Sequence, residues 1–175
     1  INNVTLNSNG WGGFGGGILT KNVAVAPDGT QTAHHCDLTS GVAIATLGVI
    51  STNGSTIVSY SYFVKGVAGE TIGIRFNTNG RATVIDTDGI IVYGGYIAEK
   101  TVELAGDWQR VSIWIELSAP VENAYLYMGD TRTEQTAREY YVWCPQLEVG
   151  KETTSLIYTE ASAVTRVADI ITPTV

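Results

Sequence analysis

The sequence predicts an all-β fold, a two-sheet antiparallel β-sandwich, and three observations predict it. Apolar residues recur with period two, β-branched and aromatic residues dominate those runs, and turns rich in Gly, Asn and Asp separate them. No run carries a convincing helical repeat, and about ten short strands with glycine-rich turns are best accommodated as two packed sheets.

Taken in order, Val23-Ala24-Val25 leads into Pro27-Asp28-Gly29-Thr30, where proline presets φ and glycine accepts φ > 0. Residues 31–38 follow as a strand. Residues 42–50 and 57–65 flank Ser51-Thr52-Asn53-Gly54-Ser55, whose Asn-Gly is a hairpin signal. Residues 71–76 and 81–86 flank Asn77-Thr78-Asn79-Gly80 as a second hairpin, and Asp88-Gly89 turns into residues 90–93. Residues 108–117 form the clearest alternating strand, and residues 124–128 another. The charged stretch 131–139 reads as a loop with room for one helical turn, and residues 140–149 are the last core strand.

This pattern divides the chain into a Gly-rich segment (1–20) joining the sandwich, the sandwich itself (21–152), and an extension (153–175) expected to continue in a parent chain. The start at Ile1 rather than Met, with no signal peptide, carries the same expectation. The run from Asn9 to Gly17 reads as a loop whose Trp11 packs on the sandwich or faces a ligand.

A chain of 175 residues suits one domain with a sizeable core. With 44% hydrophobic and 15% charged residues it has the apolar area to offset the entropy of ordering. Its net charge of −7 repels phosphate backbones and anionic surfaces, so neither nucleic acid nor a membrane is an expected partner. No apolar run approaches the roughly 20 residues that span a bilayer. Cys36 and Cys144 have no metal-type spacing and read as small buried hydrophobes, with a single bridge between them left open.

Candidate chemistry concentrates on the strand at Trp108. Alternation puts Val111, Ile113, Ile115 and Leu117 on one face and Arg110, Ser112, Trp114 and Glu116 on the other. The aliphatic face belongs to the core, which leaves a large indole on a polar face, a mark of a partner. Sugars stack their C–H faces on aromatic rings and share hydroxyl hydrogen bonds with flanking charged groups. Trp114, Arg110, Glu116, Arg75, Lys65 and Tyr125 are the expected ligand-binding residues, collected on one sheet. The competing expectation covers the same aromatics with a neighbouring subunit. His34-His35-Cys36 alternates across a strand, which leaves too few ligands on either side for a metal. No GxSxG, HExxH or phosphate-binding glycine loop is present, and no enzymatic activity is expected.

Four segments, in order, carry a family resemblance: Trp11 followed by the string from Ala26 to Ala33; Tyr60-Ser61-Tyr62-Phe63-Val64-Lys65; Trp108-Gln109-Arg110-Val111-Ser112; and Trp143-Cys144-Pro145-Gln146-Leu147-Glu148-Val149-Gly150 with Thr153-Thr154-Ser155 and the string from Ala163 to Asp169. Together they resemble the jelly-roll modules of bacteriophage tail fibres and tailspikes, which are carbohydrate-binding-module-like. The chain departs from that pattern at Cys144-Pro145 and at Thr159-Glu160. The resemblance implies a jelly roll in a virion tail, recognising a host surface polysaccharide or lipopolysaccharide, and a homotrimer through the parent fibre. It also implies a possible structural calcium, for which Asp28, Asp130 and Glu148 offer hard oxygen ligands near loops. Two alternatives stand beside host recognition: a structural capping or trimerisation module without sugar binding, and an accessory module of a polysaccharide-degrading enzyme. Trp143 and Leu147 are both expected in the core.

Overall fold

The alternation of residues 57–65 and 108–116 becomes two antiparallel strands at the centre of a six-stranded sheet, paired from Ile57 with Glu116 to Val64 with Gln109. A computed structural model describes residues 11–14, 17–40, 43–46, 54–67, 70–76, 81–86, 97–105, 107–116, 126–128 and 136–156. Every regular element among them is a strand: β1 (Trp11–Phe14), β2 (Ile18–Ala24), β3 (Ala33–Asp37), β4 (Ala43–Thr46), β5 (Ile57–Lys65), β6 (Thr71–Phe76), β7 (Arg81–Asp86), β8 (Ile97–Ala105), β9 (Trp108–Glu116), β10 (Leu126–Met128) and β11 (Glu139–Val149). They form a five-stranded sheet, β1-β4-β10-β6-β7, and a six-stranded sheet, β2-β3-β11-β5-β9-β8. The fold is an all-β, antiparallel two-sheet sandwich of jelly-roll type.

The interior face of the six-stranded sheet follows directly from period two. Val58, Tyr60, Tyr62 and Val64 of β5 lie in register with the odd-numbered positions of β9, including Val111, and with Val142 of β11. Tyr140 and Cys36 pair beyond them. Val58, Tyr60, Tyr62, Val64, Val111, Val142, Tyr140, Cys36 and Leu38 are essentially sealed from solvent. Burying each large side chain contributes about 1.5–3 kcal/mol, so this face carries much of the stability. Burial also pushes the Cys36 thiol up, which makes it a structural hydrophobe rather than a nucleophile. Cys36 and Cys144 are both buried and are not joined by a disulfide.

Turn chemistry explains the connection from β2 to β3. The Gly29 amide donates to Ala26 O at 2.9 Å and the Ala26 amide to Thr30 O at 2.8 Å, with Pro27 and Asp28 at the corner and Gly29 at φ +83°. Asp28 Oδ1 accepts from the Thr30 amide and hydroxyl at 2.9 and 2.7 Å, fixing the turn as an Asx motif.

Several expectations need correction. The Asn53-Gly54 signal does not make a hairpin: β4 lies in the five-stranded sheet and β5 in the six-stranded one, so the chain changes sheets there. The stretch around Trp11 read as a loop supplies β1, which pairs with β4 from Trp11 with Thr46 to Phe14 with Ala43. β8 was not expected at all, yet it pairs with β9 out to Ala105 and Trp108. The second hairpin, β6 with β7, stands as expected. Residues 90–93 and the stretch 131–135 lie outside the described residues.

Candidate functional site

Behind the interior face, the six-stranded sheet presents a second surface on which the even positions of β9 lie in register with the odd positions of β5. Trp114 pairs with Ser59, Ser112 with Ser61, and Arg110 with Phe63. β11 joins this surface through Trp143, opposite Phe63, and through Gln146 and Glu148, opposite Ser61 and Ser59. A β-bulge makes that possible: Cys144 and Pro145 together stand where the regular ladder has one residue, and Cys144 takes φ +46°. Proline, which has no N–H for a ladder, suits the bulge.

This surface is an aromatic row with a polar neighbour at each step. The Phe63 and Trp143 rings sit 5.1 Å apart at 57°. The Arg110 guanidinium lies 5.8 Å from the Phe63 centroid and donates to Ser61 Oγ at 3.2 Å. Trp143 Nε1 donates to Thr32 Oγ1 at 3.0 Å. Trp108, Trp143, Ala26, Ala33 and Cys144 form a buried cluster here, with Leu156 packed against it.

The chain covers much of this surface with its own residues 151–156, an irregular strap that follows Gly150. The Gly150 amide is fixed to Ile57 O at 2.9 Å, and its φ of +113° turns the chain. Arg110 Nη2 donates to Thr154 O at 2.6 Å and Ser59 Oγ to Glu152 O at 3.1 Å. Glu148, only 1% exposed, accepts from the Thr154 amide (2.8 Å) and from Gln146 Nε2 (2.8 Å) on Oε2, and from the Thr154 hydroxyl (2.7 Å) on Oε1. A carboxylate buried this deeply is tolerated because three donors meet it. Lys151 Nζ sits 4.5 Å over the Trp114 ring, and the Trp114 indole N–H is buried with no hydrogen-bond partner among the described residues.

Arg110, Trp114 and Glu116 thus share one face, as alternation predicts, but their surroundings differ. Arg110 is 7% exposed beneath the strap, Trp114 is half-buried at its edge, and Glu116 is exposed at the end of β9. Lys65 is on the same face but six positions along β5 from the partner of Trp114, about 20 Å away at the strand rise, and it forms an ion pair with Asp107. Arg75 is in β6, so the expected collection of six residues on a single sheet is corrected: Arg75 belongs to the other sheet. Tyr125 lies outside the described residues.

Of the calcium candidates, Asp28 Oδ1 is taken up by Thr30 and both Glu148 oxygens by Gln146 and Thr154, while Asp130 lies outside the described residues. Among the described residues no three His, Cys, Asp or Glu side chains converge as a metal site. His34 and His35 fall on opposite faces. His34 Nδ1 accepts the Asn22 amide at 3.1 Å, while His35 Nε2 lies 3.3 Å from Glu139 Oε2. Burial, reinforced by Lys21, holds the His34 imidazole below its ordinary range.

Sequence reasoning missed Thr154, Gln146 and Glu148 as one unit. The Thr153-Thr154-Ser155 string after a Gly was visible, but alternation says nothing about a segment that folds back over a sheet.

No protein-family model matches the chain, and no curated protein sequence matches it significantly. Among solved structures, the chain is similar to the arabinose-bound MgGH51 α-L-arabinofuranosidase, with a TM-score of 0.52 at 8% identity over 84% of this chain. It is also similar to the Clostridium thermocellum endo-1,4-β-D-xylanase 10B CBM22-1–GH10 modules complexed with xylohexaose, with a TM-score of 0.47 at 16% identity over 83% of this chain. The chain spans 26% and 27% of the lengths of those two chains.

Proposed function

We propose that this chain is a non-catalytic module that binds a glycan on the outer face of its six-stranded sheet, with Trp114 as the stacking platform. The observation that carries this reading is the open end of the face: a half-buried indole with its N–H unpaired among the described residues, an exposed Glu116 on the same strand, and Lys151 above the ring. A sugar ring set on that indole would take the place of Lys151 over the ring and meet Glu116, a hydrogen-bond acceptor on the same strand. The sandwich shared with an arabinose-bound glycosidase supports the ligand class, and it leaves the site to be argued from residues. The resemblance to phage tail modules supplies the proposed setting, a tail fibre or tailspike that meets host polysaccharide or lipopolysaccharide. Weak sites on a trimer would gain by avidity.

One observation favours a second reading, the capping or trimerisation module. Arg110, Gln146 and Glu148, the polar groups best suited to sugar hydroxyls, are already bonded to the strap. Trp114→Ala separates the two. On an array of capsular and lipopolysaccharide glycans, the variant should lose binding while light scattering shows an unchanged oligomer. Dissociation of the oligomer, or a wild-type protein silent on every glycan, favours the capping module.

A further inference from the structure

We infer that the strap, residues 151–156, is a self-ligand of the outer face: a lid that opens as a unit while the sandwich stays folded, and that a glycan seated at Trp114 displaces to extend its contacts along the strands. This rests on the reading of the face as a sugar site. The strap offers a hydroxyl and backbone carbonyl oxygens to charged and polar partners, the same acceptor chemistry as the hydroxyls and N-acetyl carbonyls of a glycan. The Thr154 hydroxyl meets Glu148 Oε1 at 2.7 Å and Gln146 Nε2 at 3.2 Å, and Thr154 O meets Arg110 Nη2 at 2.6 Å. Glu152 O takes the hydroxyl of Ser59 at 3.1 Å.

What the strap lacks is the grip of the strands beneath it. It forms no ladder, its Lys151, Glu152 and Ser155 are exposed, and Leu156 is only half-buried where it meets the apolar cluster. Segments held by few apolar contacts open at a fraction of the global unfolding free energy. Gly150, at φ +113°, is the swivel at one end. The second observation is the Trp114 indole N–H, buried beside the strap without a partner among the described residues. A donor left unpaired in the closed state favours the open one, where water or a sugar hydroxyl satisfies it. Opening uncovers Arg110, Gln146 and Glu148 beside Trp114 and so extends the site along the strands.

Hydrogen exchange on the whole chain tests this without any glycan. The strap amides, Thr154 first, should exchange at least about 100-fold faster than those of residues 58–64 and 140–142. Thr154→Val, which removes the hydroxyl and keeps the shape, should accelerate the strap by about tenfold more and leave β5 and β11 unchanged. Strap and strand amides exchanging together, or all accelerating equally in Thr154→Val, would overturn the lid. Binding to the glycan array should be several-fold tighter for Thr154→Val, and equal binding overturns the competition. Silence of both proteins on the array overturns the glycan reading instead, and exchange alone then decides the lid.

Discussion

Glu148 and Thr154, six residues apart in sequence, are joined twice: the Thr154 amide donates to Oε2 at 2.8 Å and its hydroxyl to Oε1 at 2.7 Å. The last core strand and the segment that leaves it are thereby closed into a loop by one carboxylate. Glu148→Ala should strand the Thr154 amide and leave the Thr154 hydroxyl and Gln146 Nε2 only their longer contacts, to Ser155 O and Thr154 Oγ1 at 3.2 Å, and cost about 1–3 kcal/mol in urea denaturation. The loss is capped by the free energy of opening the strap, since beyond that point the strap simply detaches. A loss well above 3 kcal/mol would mean that the strap holds the sandwich together.

Tyr62 is fully buried on the interior face, and its hydroxyl has no hydrogen-bond partner among the described residues. Burial alone pushes its phenol up. Tyr62→Phe removes an unpaid desolvation and should leave stability unchanged or raise it by up to about 1 kcal/mol. A fall of more than about 1 kcal/mol would reveal a partner for that oxygen.

His34 gives the fold an acid-sensitive element. Its Nδ1 must be unprotonated to accept the Asn22 amide, and burial, then Lys21, hold its pKa below the ordinary histidine value of 6.5, against a smaller opposing hydrogen bond at Ala33. The unfolded chain therefore takes up this proton more readily than the native one. The contribution is present above pH 6.5 and is lost as the pH falls from there through the lower native value. Melting temperatures measured between neutral and mildly acidic pH should decline for the wild type, and His34→Asn should decline less over the same window. Parallel curves would remove His34 from the account.

Gly29 sits at φ +83° in the turn between β2 and β3, with nothing within 4 Å of a Cβ added there. The obstacle to a side chain is backbone strain rather than space, so Gly29→Ala should cost about 1–2 kcal/mol. Gly29→Asn should cost less, because asparagine tolerates the left-handed region. Equal losses for the two variants by thermal denaturation would argue against this account.

The central strands were legible because their pattern is local. Residues 57–65 alternate cleanly, and the structure seals Tyr60, Tyr62 and Val64 on one side. β8 was obscured by Lys100, which interrupts the apolar positions 98, 102 and 104, although Gly106-Asp107 before Trp108 is a two-residue turn signal. The Asn53-Gly54 reading failed because a turn dipeptide fixes a reversal of direction and not the sheet that the next strand joins. At the site, alternation placed Arg110, Trp114 and Glu116 on one face. It had no means of showing that a segment beyond β11 returns across them, since that contact depends on three-dimensional closure.

The bulge at Cys144-Pro145 is also why Trp143 and Leu147, four residues apart, do not share a side as an unbroken alternation requires. Trp143 pairs with Phe63 on the outer surface, and the register puts Leu147 opposite Tyr60. β11 holds one residue more than its partner needs between these points. Removing Pro145 would therefore keep both halves of the strand in phase and release Cys144 from its left-handed backbone. A single deletion elsewhere in the strand would carry Gln146 and Glu148 toward the oily interior, or Tyr140 and Val142 out of it. In the tolerance of this chain to lost codons, the last strand should have one dispensable position, at the bulge where two residues face one.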